Sequence, residues 1–178
     1  SGSGKSRLAA ALREVLPLIH LRSDIERKRR VGLGPEARSA VADDLYAPGI
    51  TDWTYQQLQD LAAAILGWGF DVLVDATLLT RSRRAAFRAL ANRQGTGFVI
   101  LALVAPMSVL RQRVAQRLAR GHDASEASLA VLEHQRSICE RLSLEERRQA
   151  IVIHSTQPPS MADLLGRIVA LSGVPLDD

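Results

Sequence analysis

The stretch Ser1-Gly2-Ser3-Gly4-Lys5-Ser6 matches the end of the phosphate-binding pattern G-x-x-x-x-G-K-[ST], whose first glycine would lie upstream of Ser1. Glycines let successive backbone N–H groups turn inward and form a nest for phosphate oxygens. In this pattern the lysine reaches the β- and γ-phosphates and the serine hydroxyl binds Mg²⁺. A flexible Gly-Ser linker has the same composition, so the rest of the chain must distinguish the two interpretations.

Composition indicates one globular domain over residues 1–178, and the net charge indicates that its ligand is anionic. Hydrophobic residues make up 47% and charged residues 24%, near the averages for folded domains. The single cysteine excludes an internal disulfide, and no apolar run approaches the ~20 residues of a membrane span, so we expect a cytoplasmic protein that does not cross a membrane. The net charge of +4, carried mostly by arginine, suits a phosphorylated ligand, with nucleic acid as a less favoured alternative.

Short apolar runs alternate with longer amphipathic ones, which is typical of an α/β domain with a mainly parallel sheet. The apolar runs predict strands at 18–22, 70–75, 98–104 and 150–154. The amphipathic runs predict helices at 7–16, 52–67, 81–93, 107–120, 126–140 and 161–171. Thr51 or Asp52 is the predicted cap of the helix that begins near residue 52, and Ser160 is the predicted cap of the last helix.

Asp75 ends the apolar strand predicted at 70–75. An acid at such a strand tip can hold Mg²⁺ or its water ligands in nucleotide-binding proteins. Together with Lys5 and Ser6, it favours a phosphate-binding loop over a linker. Such a loop is delivered by a buried strand, which here would lie upstream of Ser1, so we expect the chain to be part of a longer polypeptide.

Asp24 follows the first predicted strand, and two roles fit it. It can cap the next helix, for which aspartate is well suited. It can also act as the general base that orients the attacking hydroxyl in phosphoryl transfer. Arg27 lies one helical turn further on, so both side chains can face one pocket.

The order Gly-Ser-Gly-Lys-Ser, Arg-Ser-Asp-x-x-Arg, Val-Asp-Ala-Thr and an arginine-rich helix resembles a family of small P-loop kinases. This family includes the gluconate kinase, polynucleotide 5′-kinase, chloramphenicol phosphotransferase and zeta-toxin groups. Residues 19–30, 71–91 and 119–135 more closely resemble a kinase-like domain at the C-terminus of bacterial proteins whose N-terminal half is similar to aminoglycoside phosphotransferases. The resemblance implies a P-loop NTPase fold, three-layer α/β/α, with strand order 2-3-1-4-5. The central first strand would be missing from this chain.

The same resemblance implies roles for individual residues. It implies that ATP and Mg²⁺ are bound and that Asp24 is the base, with Arg27 binding a phosphate or acid group of the substrate. It also implies a mobile lid over about residues 113–125, with Gly121-His122-Asp123 as its hinge or tip. Arg113, Arg117 and Arg120 recur at helical spacing and share one face, which could equally be a solvated surface.

The predicted site has catalytic, nucleotide-binding, substrate-binding and metal-binding members. The catalytic candidates are Asp24, Lys5 and Arg117, and the metal candidates are Ser6 and Asp75. The nucleotide-binding candidates are Gly2, Ser3, Gly4, Lys5, Ser6, Arg7, Arg113, Arg117 and Thr156. The substrate-binding candidates are Asp24, Arg27, Tyr46 and Arg84, with an acceptor pocket built from the segment 31–53.

These residues lead to three functional hypotheses. The first is an ATP-dependent kinase that phosphorylates a hydroxyl of a small molecule. The second is a polynucleotide 5′-hydroxyl kinase, which the basic clusters would suit. The third is a non-catalytic ATP-binding module that regulates a fused phosphotransferase domain.

Overall fold

A computed structural model describes residues 1–35, 37, 39, 44–120 and 124–173, in which eight helices and four strands alternate. The strands are β1 (Leu18–Arg22), β2 (Asp71–Asp75), β3 (Ile100–Val104) and β4 (Ala150–His154). The first four helices are α1 (Lys5–Arg13), α2 (Ser23–Arg30), α3 (Pro48–Gly67) and α4 (Arg81–Gln94). The other four are α5 (Met107–Arg120), α6 (Leu129–Ser137), α7 (Leu144–Arg148) and α8 (Met161–Ser172), and a 3₁₀ turn spans Asp44–Tyr46.

The four strands form two parallel pairs. β1 pairs with β2, which brings Arg22 opposite Asp75, and β3 pairs with β4, which brings Val104 opposite His154. This pairing agrees with the predicted order 2-3-1-4-5, in which β1 and β2 are strands two and three and β3 and β4 are strands four and five. Within the residues that the structure describes, no strand lies at the central position between β2 and β3.

Successive side chains of a strand point to opposite faces, so these strands present apolar residues on both faces. Helices pack against both of them. On one face, Leu21 of β1 packs against α3 and α4 in a cluster that includes Leu58. On the other face, Leu73 of β2 packs against Leu12 of α1 and Leu164 of α8, together with residues of β4. The result is the predicted three-layer α/β/α arrangement.

The start of α3 differs from the prediction. The predicted caps Thr51 and Asp52 are both wrong, because α3 begins at Pro48 and its N-cap is Ala47 without a side-chain hydrogen bond. Proline suits the first helical position because its φ angle is preset and its missing N–H has no helical partner there. α3 is thus about one turn longer at its N-terminus than predicted, and it begins two residues after Tyr46.

The segment after residue 120 contains a second difference. The predicted helix at 126–140 is shorter, since α6 begins at Leu129 after the Ser128 cap. α7 was not predicted, and it is held by a capping box in which Ser143 and Glu146 satisfy each other's backbone N–H groups. The predicted Ser160 cap of α8 is confirmed by its hydrogen bond from Asp163 N. In the described parts of the chain, every helix is too short or too polar to span a lipid bilayer.

Candidate active site

The turn before α1 has a backbone that glycine favours. Gly2 and Gly4 have φ angles of 76° and 91°, in the left-handed region that other residues rarely adopt. A Cβ atom on Gly2 would also lie 2.9 Å from the Leu110 carbonyl oxygen, so glycine allows α5 to pack closely on this turn. Gly4 is the N-cap of α1, and its carbonyl accepts the Leu8 N–H at 3.0 Å. The turn thus leads directly into a helix N-terminus, where backbone N–H groups favour an anion.

Ser6, in the first turn of α1, contacts the carboxylate at the tip of β2. Its Oγ donates a hydrogen bond to Asp75 Oδ2 at 2.6 Å. The His20 Nε2 and Arg22 Nε atoms of β1 lie 3.4 and 3.8 Å from the same oxygen. The structure therefore brings together Ser6 of the phosphate-binding pattern and Asp75 of the strand tip, although they are far apart in sequence.

His20 was not predicted as part of this cluster. It alternates with Leu21, which packs towards α3, so His20 and Arg22 point to the opposite face, where α1 lies. The parallel register brings Arg22 opposite Asp75, on the same face. Strand alternation combined with an assumed register is the sequence signal that could have found His20.

Asp75 is held as a carboxylate by its neighbours. It is 8% exposed. Burial is the largest influence on its pKa and raises it, but the His20 imidazole, the Ser6 hydroxyl and the Lys5 charge together lower the pKa below its usual range. A buried group that stays ionised needs such partners, and they also keep it available as a ligand for a cation.

The Ser6–Asp75 pair fits the requirements of Mg²⁺. A serine hydroxyl and a carboxylate are the hard oxygen donors that Mg²⁺ binds, usually with waters and substrate phosphates completing its shell. Lys5 and the glycine turn lie beside this pair in the same cleft, where phosphates could supply those ligands. The donor set is therefore compatible with magnesium held next to a polyphosphate.

Asp24, Arg27 and Tyr46 form a second cluster across the cleft. Arg27 Nη1 donates to Asp24 Oδ1 at 2.9 Å, and the Tyr46 hydroxyl donates to the same oxygen at 3.4 Å. The Arg27 guanidinium also lies 4.7 Å from the centre of the Tyr46 ring. Burial, and then the Asp24 charge, raise the pKa of Tyr46, so its hydroxyl keeps the proton that it donates.

The prediction that Asp24 caps a helix is wrong. Arg22 is the N-cap of α2, and Asp24 lies inside the first turn of that helix. Its Oδ2 makes no hydrogen bond with the residues that the structure describes, whereas Oδ1 has two donors. One carboxylate oxygen of this cleft-lining residue is thus oriented by the protein, and the other has no donor among the described residues.

The predicted arginine face of α5 lines the same cleft. Arg113 Nη1 donates to Ser155 Oγ at 2.9 Å and to the Gly2 carbonyl at 3.4 Å, which links α5 to the glycine turn and to the loop after β4. Arg117 Nη2 donates to the Ala127 carbonyl at 2.8 Å, which links α5 to the segment before α6. The arginines therefore connect three parts of the cleft wall.

Most of these groups line one cleft of about 1210 Å³. Its predicted members are Gly2, Gly4, Lys5, Ser6, Arg7, Asp24, Arg27, Tyr46, Asp75, Arg113, Arg117, Arg120 and Thr156. Thr77, Ser125 and Gln135 also line it and were not predicted. The cleft lies at the carboxyl ends of the strands, where α/β proteins with open sheets bind their ligands.

A family model described as an AAA domain matches residues 1–142 of the chain. The chain belongs to this AAA domain family. Its P-loop and the three-layer architecture are those of a P-loop kinase-like domain, a class that uses ATP with Mg²⁺.

Solved structures show the same fold as this AAA domain. One is a protein described as a kinase from Chloroflexus aurantiacus J-10-fl, with a TM-score of 0.70 and 23% identity over 94% of this chain and 88% of that one. Another is a gluconokinase from Sinorhizobium meliloti 1021, with a TM-score of 0.58 and 22% identity over 96% of this chain and 85% of that one. A comparison with curated proteins gave no significant match.

Two residues that were predicted to bind ligands, Ser3 and Arg84, lie outside the cleft wall. Ser3 belongs to the glycine turn but, unlike its described neighbours, does not line the cleft. Arg84 is 5% exposed and forms a buried ion pair with Glu146, with Nε donating to Oε1 at 2.6 Å and Nη2 to Oε2 at 3.2 Å. The predicted hinge at Gly121-His122-Asp123 lies outside the described residues.

Proposed function

We propose that this protein is an ATP-dependent phosphotransferase that moves the γ-phosphate of ATP to a hydroxyl group of a small molecule. The observation that carries the proposal is the hydrogen bond of 2.6 Å between Ser6 and Asp75, in a cleft that also contains Lys5 and the Asp24–Arg27 pair. A phosphate turn, a magnesium-compatible pair and a carboxylate thus surround one space. The use of ATP and the single cysteine fit a cytoplasmic protein.

The nucleotide half of the proposed site uses groups around α1. Lys5 and the N–H groups of the glycine turn bind the phosphates, and Ser6 and Asp75 hold Mg²⁺. When bound, Mg²⁺ neutralises charge on the phosphoryl oxygens. Thr156 lies on the cleft wall in the loop after β4, beside Ser155, which Arg113 contacts. We assign this loop to the adenine end of the nucleotide.

The acceptor half uses α2 and the segment containing Tyr46. Asp24 Oδ2 accepts the hydrogen bond of the substrate hydroxyl and takes its proton as the oxygen attacks the γ-phosphate. Arg27 and Tyr46 hold Asp24 through Oδ1, so the orientation of the base does not depend on the substrate. Arg117 and Arg120 line the same cleft from α5, where positive charge would stabilise the transferred phosphoryl group.

Charge pairing favours a small acceptor over a nucleic acid. Five arginines outside the cleft wall have carboxylate partners: Arg29–Glu26, Arg83–Asp52, Arg84–Glu146, Arg88–Glu145 and Arg111–Glu133. Binding a nucleic acid backbone depends on cations that can replace the counterions of several phosphates. These pairs reduce the positive field outside the cleft, which supports a ligand contained within it.

The first test is phosphate transfer from γ-labelled ATP by the full-length protein. The acceptor panel contains gluconate, because a structural neighbour is a gluconokinase, other sugar acids and alcohols, and an oligonucleotide with a 5′-hydroxyl. Lys5→Ala should lower ATP turnover by about 100-fold or more, because it removes a cation from the charge that develops on the phosphates. Arg13→Ala is the matched control, since Arg13 lies exposed on the same helix outside the cleft, and it should retain turnover.

The panel also separates the three functional hypotheses. Labelling of the oligonucleotide 5′ ends, in a reaction that depends strongly on salt concentration, would favour the polynucleotide kinase hypothesis over the small-molecule one. Tight ATP binding without transfer to any acceptor would favour a regulatory module. Undiminished turnover in Lys5→Ala would exclude this cleft as the site of reaction.

A further inference from the structure

The loop that follows Asp75 is held by buried side chains from two helices. We call residues 76–79 the post-β2 loop; it connects β2 to the segment before α4. Tyr55 of α3 is 4% exposed, and its hydroxyl accepts the Leu78 N–H at 3.1 Å. The same hydroxyl lies 3.0 Å from Thr77 Oγ1. Tyr55 is thus bonded to two consecutive residues of the loop.

Leu78 has a φ angle of 41°, and among the described residues it is the non-glycine residue with positive φ. The left-handed conformation costs such a residue about 1 kcal/mol or more, so the surroundings must hold it. From the other side, Arg84 Nη1 donates to the Leu78 and Leu79 carbonyls at 2.9 and 3.0 Å. The backbone N–H and C=O groups of Leu78 therefore both have buried side-chain partners instead of backbone ones.

The two side chains that hold the loop are themselves fixed. The Arg84 guanidinium forms its buried ion pair with Glu146 of α7. The Arg83 guanidinium lies over the Tyr55 ring, with its central carbon 4.1 Å from the ring centre. The strained Leu78 directly follows the cleft-lining Thr77 and lies three residues after Asp75, a predicted metal ligand. Strained backbone of this kind is typical of functional sites.

Either hydroxyl can donate in the Tyr55–Thr77 hydrogen bond, and the contact with Leu78 favours Tyr55 as the donor. Tyr55 accepts from Leu78, and its own proton has Thr77 Oγ1 as its acceptor among the described residues. If Tyr55 donates to Thr77, the Thr77 proton remains for another oxygen. Thr77 lines the cleft, so this proton can be donated to a phosphoryl, carboxylate or hydroxyl oxygen of a bound ligand.

We propose that Tyr55 is a positioning residue, which holds the post-β2 loop in its left-handed turn and presents the Thr77 hydroxyl to the cleft as a hydrogen-bond donor. Tyr55 itself does not line the cleft in the described structure, so it acts through Thr77. This role rests on the proposed phosphotransfer, because that reaction supplies the oxygen atoms that Thr77 would contact.

The test of the structural half is amide hydrogen exchange in the full-length protein. Tyr55→Phe keeps the ring and removes the hydroxyl, so exchange at the Leu78 amide should accelerate about tenfold while the global unfolding midpoint stays close to that of the control. Thr54→Val is the matched control. Thr54 is fully buried on the same helix, and among the described residues its hydroxyl bonds only to the Ile50 carbonyl, away from the loop.

The test of the functional half is MgATP turnover in single and double variants. Thr77→Val should lower turnover about tenfold, Tyr55→Phe several-fold, and the double variant no further than Thr77→Val alone, because Tyr55 acts through Thr77. Thr54→Val should leave turnover unchanged.

Three results would overturn the inference. They are an unchanged exchange rate at Leu78 in Tyr55→Phe, wild-type turnover in Thr77→Val, or fully additive losses in the double variant. A wild-type protein without any ATP turnover would instead reject the phosphotransfer proposal. In that case the exchange comparison would still decide whether Tyr55 holds the loop.

Discussion

At the residue scale, the two oxygens of Asp24 have different environments. Oδ1 accepts from Arg27 and Tyr46, whereas Oδ2 makes no hydrogen bond with the described residues, and Asp24 lines the cleft. In the proposed reaction, this asymmetry would orient the carboxylate for a substrate proton without occupying both of its oxygens. Arg27 is buried and Tyr46 is half-buried, so the protein itself supplies both donors to Oδ1.

Asp24→Asn should therefore separate binding from reaction. The amide has nearly the same shape but cannot take a proton, so we expect transfer to the acceptor to fall by about 100-fold or more while ATP affinity changes little. Steady-state transfer and fluorescent-ATP titration measure the two effects. Asp60→Asn, at an exposed carboxylate on α3, is the control, and equal losses in both variants would contradict the assignment.

At the element scale, a buried ion pair joins α2 to the segment before α6. Lys28 is 1% exposed, and its Nζ lies 3.0 Å from Glu126 Oε1 and donates to the Pro35 carbonyl at 3.1 Å. Both Glu126 oxygens accept the Ser39 N–H at 3.1 Å. The pair thus connects the helix that carries Asp24 to two chain segments beside the cleft.

Lys28→Met should destabilise the protein strongly. Removing one partner of a buried pair leaves the other charge uncompensated, and we expect a loss of about 3–5 kcal/mol in the free energy of unfolding. Urea denaturation measures this loss. Arg111→Met is the control, because Arg111 and Glu133 are both well exposed and such pairs contribute about 1 kcal/mol or less. Similar losses of unfolding free energy in the two variants would contradict the larger cost that we expect for breaking the buried Lys28–Glu126 pair.

At the scale of the whole molecule, two carboxylates couple stability to pH. The Arg84 hydrogen bond, working against burial, lowers the pKa of Glu146 from its ordinary value of 4.5, and the pKa of Asp75 is lowered from 3.8. The unfolded state therefore binds these protons more tightly than the folded state. The stability that they contribute is complete above about pH 5 and is lost as pH falls through the two lowered pKa values.

This coupling predicts the shape of the stability curve. The free energy of unfolding should be flat with respect to these groups above about pH 5 and should decrease steadily below it. Glu146→Gln should be less stable at neutral pH and should lose less stability on acidification, because one of the two groups no longer titrates. Urea denaturation at a series of pH values measures both curves, and parallel curves would contradict the role of Glu146.

Local patterns in the chain were sufficient for the four strands, for every helix except α7, and for much of the cleft. Strand alternation predicted the four strands, and the positions of Lys5, Ser6 and Asp75 predicted which ends of the elements meet at the cleft. Helical spacing predicted the shared face of Arg113 and Arg117, because periodicity is a property of one segment. These features depend on near neighbours in sequence, which can be read without knowing how segments pack.

Only the tertiary structure decided which distant side chains become partners. Arg84 was predicted at the substrate site, yet packing of α4 against α7 buries it with Glu146, a pairing that no local pattern encodes. His20 reaches Asp75 only through the strand register, and Tyr55 holds Leu78 only because α3 packs behind β2. The choice of partner depends on the free energy of burying polar groups together, and that depends on segments far apart in the chain.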